Sequence, residues 1–336
     1  MTSNKQIRLA SRPSGWVTAD NFVLTEETVP KVGQGQLLVR NLYMSVDPYM
    51  RGRMDDARSY MPPFQIGEVL QAEVVGEVIA SRNDDYAEGD IVDGMLGWEN
   101  YSLSDGNGLR KVARDSAPLS YHLGILGTPG MTAYIGLHTI GKAQPGETVF
   151  VSAASGAVGS IVGQLAKLHG CTVTGCAGND DKVNLLKSKF AYDAAFNYRN
   201  SKSLPASIKE VCPDGIDVDF ENVGGEIFEA ALWNMRNGGR IVMCGMIANY
   251  NDEELQPGPR GMMTVIARRL TIQGFIVTDH PDVGMEYVRN AAQWLDEGNL
   301  QYSETIAEGI ENAPTAFIDM LKGKNIGKQI VRLAHI

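Results

Sequence analysis

Four cysteines in 336 residues, none of them in a CxxC pair, leave little material for a disulfide framework. Cys171, Cys176, Cys212 and Cys244 read instead as reduced, mostly buried thiols. The five histidines show no HxxxH or HExxH spacing, so no local motif proposes a metal, and none is expected. No apolar run reaches the roughly 18 residues that a membrane span needs. The opening MTSNKQIRLASRPSG lacks the apolar centre of a signal peptide, and the expectation is a cytoplasmic chain with no membrane partner. Positive charge is in deficit: the formal net charge is −10 and the pI about 5.1. Such a field repels phosphate backbones, which argues against nucleic acid as a partner. Any phosphate site must then be made by local geometry. Internal repeats and low-complexity tracts are missing too.

What is present is an ordinary globular balance, 43% hydrophobic and 21% charged, on a chain long enough for two lobes. Residues 1–126 read as β-rich. Extended apolar runs at 36–46 and 68–79 are bounded by Val32-Gly33-Gln34-Gly35 and Ala87-Glu88-Gly89-Asp90, with a shorter strand signal at 91–94. From 127 to 302 the pattern changes. Met131–Ile140 reads as a short helix, and strands are expected at 148–152, 172–175, 216–220, 240–244 and 270–277. Helices are expected at 157–168, 180–189, 226–235 and 282–297. Strands separated by helices of this length imply a doubly wound parallel sheet of the Rossmann type. Residues 303–336 add strands at 305–310 and 329–333 around a helix opened by Glu311-Asn-Ala-Pro314, and are expected to return to the first lobe.

The strongest local motif is Val149-Phe-Val-Ser-Ala-Ala-Ser-Gly-Ala-Val-Gly159, between a buried strand and a helix. Such a turn aims backbone N–H groups and a positive helix end at a pyrophosphate, and Gly156 and Gly159 permit close approach. Ala154 stands where the first glycine of GxGxxG is usual. Tight helix–strand packing is the other reading, but the flanking strands and helix favour a dinucleotide. The second strand ends Gly175-Cys176-Ala177-Gly178, without the carboxylate that holds a ribose diol in NAD sites. Asn179-Asp180-Asp181-Lys182 follows. Lys182 suits a 2′-phosphate, Asp180 or Asp181 suits a ribose diol, and all three suit a solvated helix start. Residue chemistry alone leaves these readings open.

At this point the chain resembles a known family. Tyr43-Met-Ser-Val-Asp-Pro-Tyr-Met-Arg-Gly-Arg53, Ala153–Gly159, Phe220-Glu-Asn-Val-Gly-Gly225, Cys244-Gly-Met-Ile-Ala-Asn-Tyr-Asn251 and Leu321-Lys-Gly-Lys-Asn-Ile-Gly-Lys328 occur in one order. Together they resemble the zinc-independent medium-chain dehydrogenase/reductases, in the group of prostaglandin/leukotriene, plant alkenal and bacterial NADPH-dependent curcumin reductases. Ser59-Tyr-Met-Pro-Pro-Phe-Gln-Ile-Gly67 is most similar to the curcumin-reductase branch. The resemblance implies a GroES-like β-rich catalytic domain beside the Rossmann domain, NADPH/NADP+ as cofactor and a homodimer. It also implies site residues. Gly156, Ala157, Val158 and Gly159 correspond to the pyrophosphate turn, and Lys182 with Tyr198 to the 2′-phosphate site. Asn222, the run from Cys244 and Gly245 to Tyr250, the expected strand segment Phe275-Ile276-Val277, and Asn325 correspond to positions lining the nicotinamide and its ribose. Taken without the family, Asn222 is turn chemistry, Phe275–Val277 is sheet interior and Asn325 caps a turn.

Zinc-dependent relatives carry a Gly-His-Glu motif where this chain has Gly67-Glu68-Val69-Leu70, with no histidine or cysteine. Alcohol oxidation usually needs a Lewis acid; an enal or enone is electrophilic at its β-carbon without one. The expected reaction is therefore NADPH-dependent reduction of the C=C bond of α,β-unsaturated aldehydes or ketones. Tyr250 is the first candidate donor to the carbonyl oxygen, and Tyr49, in Asp47-Pro-Tyr-Met50, the second; core packing is the other reading of Tyr49. Tyr60 to Pro63 form either an apolar substrate wall or an exposed loop. An NADPH quinone reductase and a non-catalytic NADPH-binding protein are the rival readings.

Overall fold

The computed structural model describes residues 3–115, 117–254 and 256–335, which divide into two units. Unit 1 comprises 1–123, 304–325 and 329–336; unit 2 comprises 124–303 and 326–328.

In unit 1, β1 (Ser3–Leu9) and β2 (Phe22–Thr28) pair antiparallel. Neither was legible in the sequence, because β2 presents Val23 and Leu24 to solvent and alternates poorly. β3 (Leu37–Ser45) has no exposed residue, so it reads as a nearly continuous apolar run. A short helix, α1 (Met50–Arg53), follows it. Then come β4 (Gln71–Ser81), β5 (Ile91–Gly97), β6 (Tyr101–Ser104) and β7 (Arg110–Val112), all antiparallel to their neighbours. β4 starts three residues later than the sequence predicts: the Leu70 N–H donates to Ile7 O (3.0 Å), which ties that end to β1 instead. Leu42, Val75, Ile91, Leu119, Leu123 and Ile330 form one core cluster.

Unit 2 opens with α2 (Thr128–Tyr134), carrying Pro129 in its first turn, which runs into a π-helical stretch at Ile135–Ile140. The sequence predicted one plain helix. A glycine at 136 lets the widened turn press on the sheet, since a Cβ there would meet Phe220 at 2.5 Å. Strands and helices then alternate: β8 (Thr148–Val151), α3 (Gly159–Leu168), β9 (Thr172–Ala177), α4 (Asp180–Ser188), β10 (Ala194–Asn197), α5 (Leu204–Val211), β11 (Ile216–Glu221) and α6 (Gly225–Asn234). β12 (Met235–Met243), α7 (Met263–Arg268), β13 (Thr271–Gly274) and α8 (Pro281–Asp296) complete the unit. The six strands are parallel in the order β10-β9-β8-β11-β12-β13. The order reverses between β8 and β11, and in open α/β sheets ligands bind at the carboxyl ends of the strands at that reversal.

One predicted strand is corrected here. The run 270–277 is paired only over Thr271–Gly274, and Phe275, Ile276 and Val277 leave the sheet. Val277–Asp279 forms a single 3₁₀ turn, and Pro281 starts α8. β13 is an edge strand of four residues, so no outer neighbour holds the chain extended.

Back in unit 1, β14 (Glu304–Glu308), α9 (Ala313–Leu321) and β15 (Lys328–Arg332) follow, and β15 pairs antiparallel with β3, Ile330 opposite Ser45. The seven-stranded sheet runs β14-β15-β3-β4-β5-β7, with β6 also on β3. Among the described residues no helix is long and apolar enough to cross a membrane.

Candidate cofactor and active site

The predicted glycine turn sits at the carboxyl end of β8, at the sheet reversal. The glycine at 159 is required by packing: a Cβ there would lie 2.6 Å from Ala153 O and 2.8 Å from Ala154 Cα. Gly156 donates to Ala153 O (2.9 Å) and accepts from the Ser160 N–H (3.1 Å), which bends the chain into α3. The residue that takes the left-handed conformation is Ala153 (φ 46°), one position before the alanine singled out in the sequence. Gly156 forms a parallel bridge with Gly327, whose N–H donates to Ser155 O (2.9 Å), and no side chain caps α3. A close-packed glycine turn that leads into an uncapped helix N-terminus fits a pyrophosphate.

At the carboxyl end of β9, a Cβ on Gly178 would lie 3.1 Å from the Tyr198 hydroxyl and 3.4 Å from Arg199 Nε. Asn179 caps α4, its Oδ1 accepting from the Lys182 N–H (2.9 Å), so Lys182 stands in the first turn. Lys182 is only 6% exposed, and burial, then the nearby Arg199 charge, lowers its pKa. Asp180, the sequence-level rival, accepts from Asn197 Nδ2 (2.8 Å). A hydroxyl and two cations at one strand end fit a phosphate better than a diol. Sequence reasoning missed Arg199; its place directly after Tyr198 was the available signal.

The third group lies where β11 and β12 end. Asn222 donates through Nδ2 to Ser152 O (2.8 Å). Its carbonyl lies 3.2 Å, and the Tyr250 hydroxyl 3.5 Å, from where a Cβ on Gly245 would stand. Tyr250 curls back so that its oxygen accepts from the Met246 N–H (3.4 Å). Burial raises the Tyr250 pKa, the Met246 N–H opposes it, and Cys244 adds to the rise. The hydroxyl therefore keeps its proton at neutral pH. Cys244 is pushed up to about 12 by burial and the Glu221 carboxylate, which makes it a poor nucleophile. Phe275 packs over the π-helical stretch: its Cζ lies 3.0 Å from where a Cβ on Gly136 would stand. Ile276 and Val277 are half-buried beside it in sequence.

Tyr49 and Asn325 belong to unit 1. Tyr49 immediately precedes α1 and is half-buried. Burial raises its pKa far beyond the usual phenol range, with Asp47 and Glu73 adding to the rise and Arg53 opposing it. Arg53, missed by the sequence reading, is 5% exposed and places Cζ 4.0 Å over the Phe64 ring. It donates to Pro62 O (2.9 Å) and Gln71 Oε1 (2.8 Å), fixing the loop that carries Tyr60–Pro63. Tyr60 itself is 59% exposed, as the loop reading has it. Asn325 is half-buried in the loop between α9 and β15.

Two family models match: one described as the N-terminal domain of oxidoreductase over residues 5–112, one described as zinc-binding dehydrogenase over 157–297. An NADPH-dependent curcumin reductase of Escherichia coli is 43% identical, covering 98% of this chain and 97% of its own length. A 2-alkenal reductase (NADP(+)-dependent) of Nicotiana tabacum is 44% identical, covering 99% of this chain and 98% of its own. The crystal structure of CurA in complex with NADPH from Vibrio vulnificus superposes with a TM-score of 0.94 at 42% identity, covering 99% of this chain and 100% of that one. One family description mentions zinc; among the described residues no group of three or more His, Cys, Asp or Glu side chains is arranged to hold a metal.

Proposed function

The chain belongs to the medium-chain dehydrogenase/reductase group of alkenal, curcumin and prostaglandin reductases, and from that premise we propose that it uses NADPH to reduce the C=C bond of α,β-unsaturated aldehydes and ketones. The observation that carries the reading is the Tyr250 hydroxyl, which accepts the Met246 N–H and so has its own proton free for a second partner.

Gly156–Gly159 would hold the pyrophosphate. Lys182 and Tyr198, joined by Arg199, would hold the 2′-phosphate. Asn222, Cys244–Tyr250, Phe275–Val277 and Asn325 would surround the nicotinamide and its ribose. When bound, NADPH supplies a hydride to the β-carbon of the substrate. Negative charge then grows on the carbonyl oxygen, and a neutral phenol aimed at that oxygen stabilises it. Tyr250 does this directly or by holding a ribose hydroxyl that does. Tyr49 is the second donor. The proton added at the α-carbon comes from Tyr250 or from water.

A homodimer in the cytoplasm completes the proposal. The edge strand β13 and the neighbouring α7, with Met263 74% and Ile266 71% exposed, support a subunit contact on unit 2. The test is loss of NADPH absorbance with a panel of enals, enones and quinones. Turnover of enals and enones is expected. Turnover of quinones alone makes the protein a quinone reductase, and NADPH binding without turnover of any of them makes it a non-catalytic binder.

A further inference from the structure

Glu221 closes β11 and is wholly buried. Its backbone carbonyl accepts from the N–H groups of Cys244 (2.9 Å) and Gly245 (3.1 Å). Its Oε1 accepts from the N–H groups of Val223 (2.5 Å) and Gly224 (2.9 Å) and from the Ser152 hydroxyl (2.7 Å). The Ser152 oxygen in turn accepts from the Asn222 N–H (2.7 Å). One residue thus takes four backbone N–H groups from two separate turns, at 222–225 and 244–245. The turns are also stitched together, the Ala248 N–H donating to Val223 O (2.9 Å). A buried backbone N–H without an acceptor is costly, so removing Oε1 would force the first turn to rearrange. The other oxygen, Oε2, has no hydrogen-bond partner among the described residues. The side chain therefore works through a single acceptor atom, and a carboxamide oxygen would do the same work.

We propose that Glu221, oriented by Ser152, is a positioning residue that holds both turns in the arrangement that receives the nicotinamide half of NADPH. This rests on the cofactor reading above. Glu221 itself touches neither cofactor nor substrate; it acts through Asn222, Gly245 and the chain leading to Tyr250.

The test compares two ligands on the full-length protein by fluorescence titration. NADPH needs both ends of the site, whereas adenosine 2′,5′-bisphosphate needs only the Lys182 and Tyr198 end. Glu221→Leu should raise the Kd for NADPH roughly ten- to a hundredfold and leave that for the bisphosphate within about twofold. Glu221→Gln should restore NADPH binding to near wild type. Ser152→Ala should weaken NADPH about three- to tenfold, with circular dichroism unchanged. If Glu221→Leu does not fold, Glu221→Gln and Ser152→Ala decide alone. Equal weakening of both ligands, wild-type NADPH binding in Glu221→Leu or Ser152→Ala, or a Gln variant that loses NADPH as Leu does, overturns the proposal. A wild-type protein that binds neither ligand overturns the cofactor reading, and this proposal with it.

Discussion

Asp219 and Glu221 stand two apart on β11 with 0% exposure each, and neither Asp219 oxygen has a hydrogen-bond partner among the described residues. Burial, and then the charge of Glu221, pushes the Asp219 pKa well above the usual carboxylate range. An unfolded aspartate ionises near 4, so above that pH the folded chain keeps a proton that the unfolded chain has released. The sign follows from linkage. The stabilisation is fully present below the unfolded value and is lost as pH rises toward and through the folded one. For one group the slope is at most about 1.4 kcal/mol per pH unit. Asp219→Asn has nearly the same shape and does not titrate. It should match wild type near pH 4 and become progressively more stable than wild type as pH rises. At about 2–4 °C per kcal/mol for a unit of this size, the melting temperatures should diverge by up to about 3–5 °C for each pH unit above 4. Calorimetry at pH 4, 6, 7 and 8 measures this, with NADPH affinity as a control expected to stay level. Parallel curves for the two proteins would show that Asp219 is ionised in the fold, and would refute the reasoning.

Replacing Lys182 by Ala should raise the KM for NADPH about ten- to a hundredfold while leaving that for NADH nearly unchanged, since a charge-assisted contact is worth about 1.5–3 kcal/mol. Equal effects on both cofactors would remove Lys182 from the phosphate site. Tyr250→Phe should lower kcat with enones by about a hundredfold, the usual cost of losing one donor to a developing oxyanion; unchanged kinetics would leave its hydroxyl without a catalytic part. Gly163→Ala should cost about 2–3 kcal/mol in chemical denaturation, because its Cβ would run into the Tyr192 ring that pins α3 through a hydrogen bond to Gly159 O (2.7 Å). A neutral result there would mean that α3 shifts freely, which the packing of Gly159 on Ala154 opposes.

Much of the fold was legible because its central strands and long helices are strongly patterned. β3 and β8 carry apolar runs, β11 alternates apolar with acidic residues, and α3 and α8 open after a glycine turn and at a proline. What escaped was short, half-exposed or locally contradictory. β10 is Ala-Ala-Phe-Asn, with little β preference and a half-buried surface, and α5 begins Leu-Pro, which reads as a break until the proline is placed in a first turn. The split of the predicted helix at 131–140 into helical and π-helical parts depends on glycines pressed against Phe220, a tertiary fact. In the site, Lys182 and the glycine turn were visible as chemistry at a strand end. Ala153, with its left-handed backbone, was not, since alanine carries no signal for that conformation.

The acids of β11 explain why the remainder was hidden. Ile216, Val218 and Phe220 share one face of the strand; Asp217, Asp219 and Glu221 share the other, a pattern that in isolation describes a half-solvated edge. β11 instead lies between β8 and β12, and only Asp217 reaches the rim, accepting from the Thr148 N–H (2.9 Å). The two deeper acids then have opposite consequences. Glu221 meets donors from three backbone segments and organises the ends of β8, β11 and β12, whereas Asp219 meets none and burial raises its pKa. A purely apolar face would be more stable at neutral pH, since burying a carboxylate without partners opposes folding. It would also leave the N–H groups of Val223 and Gly224 unsatisfied, so the polar face is what allows two turns to converge where the sheet reverses.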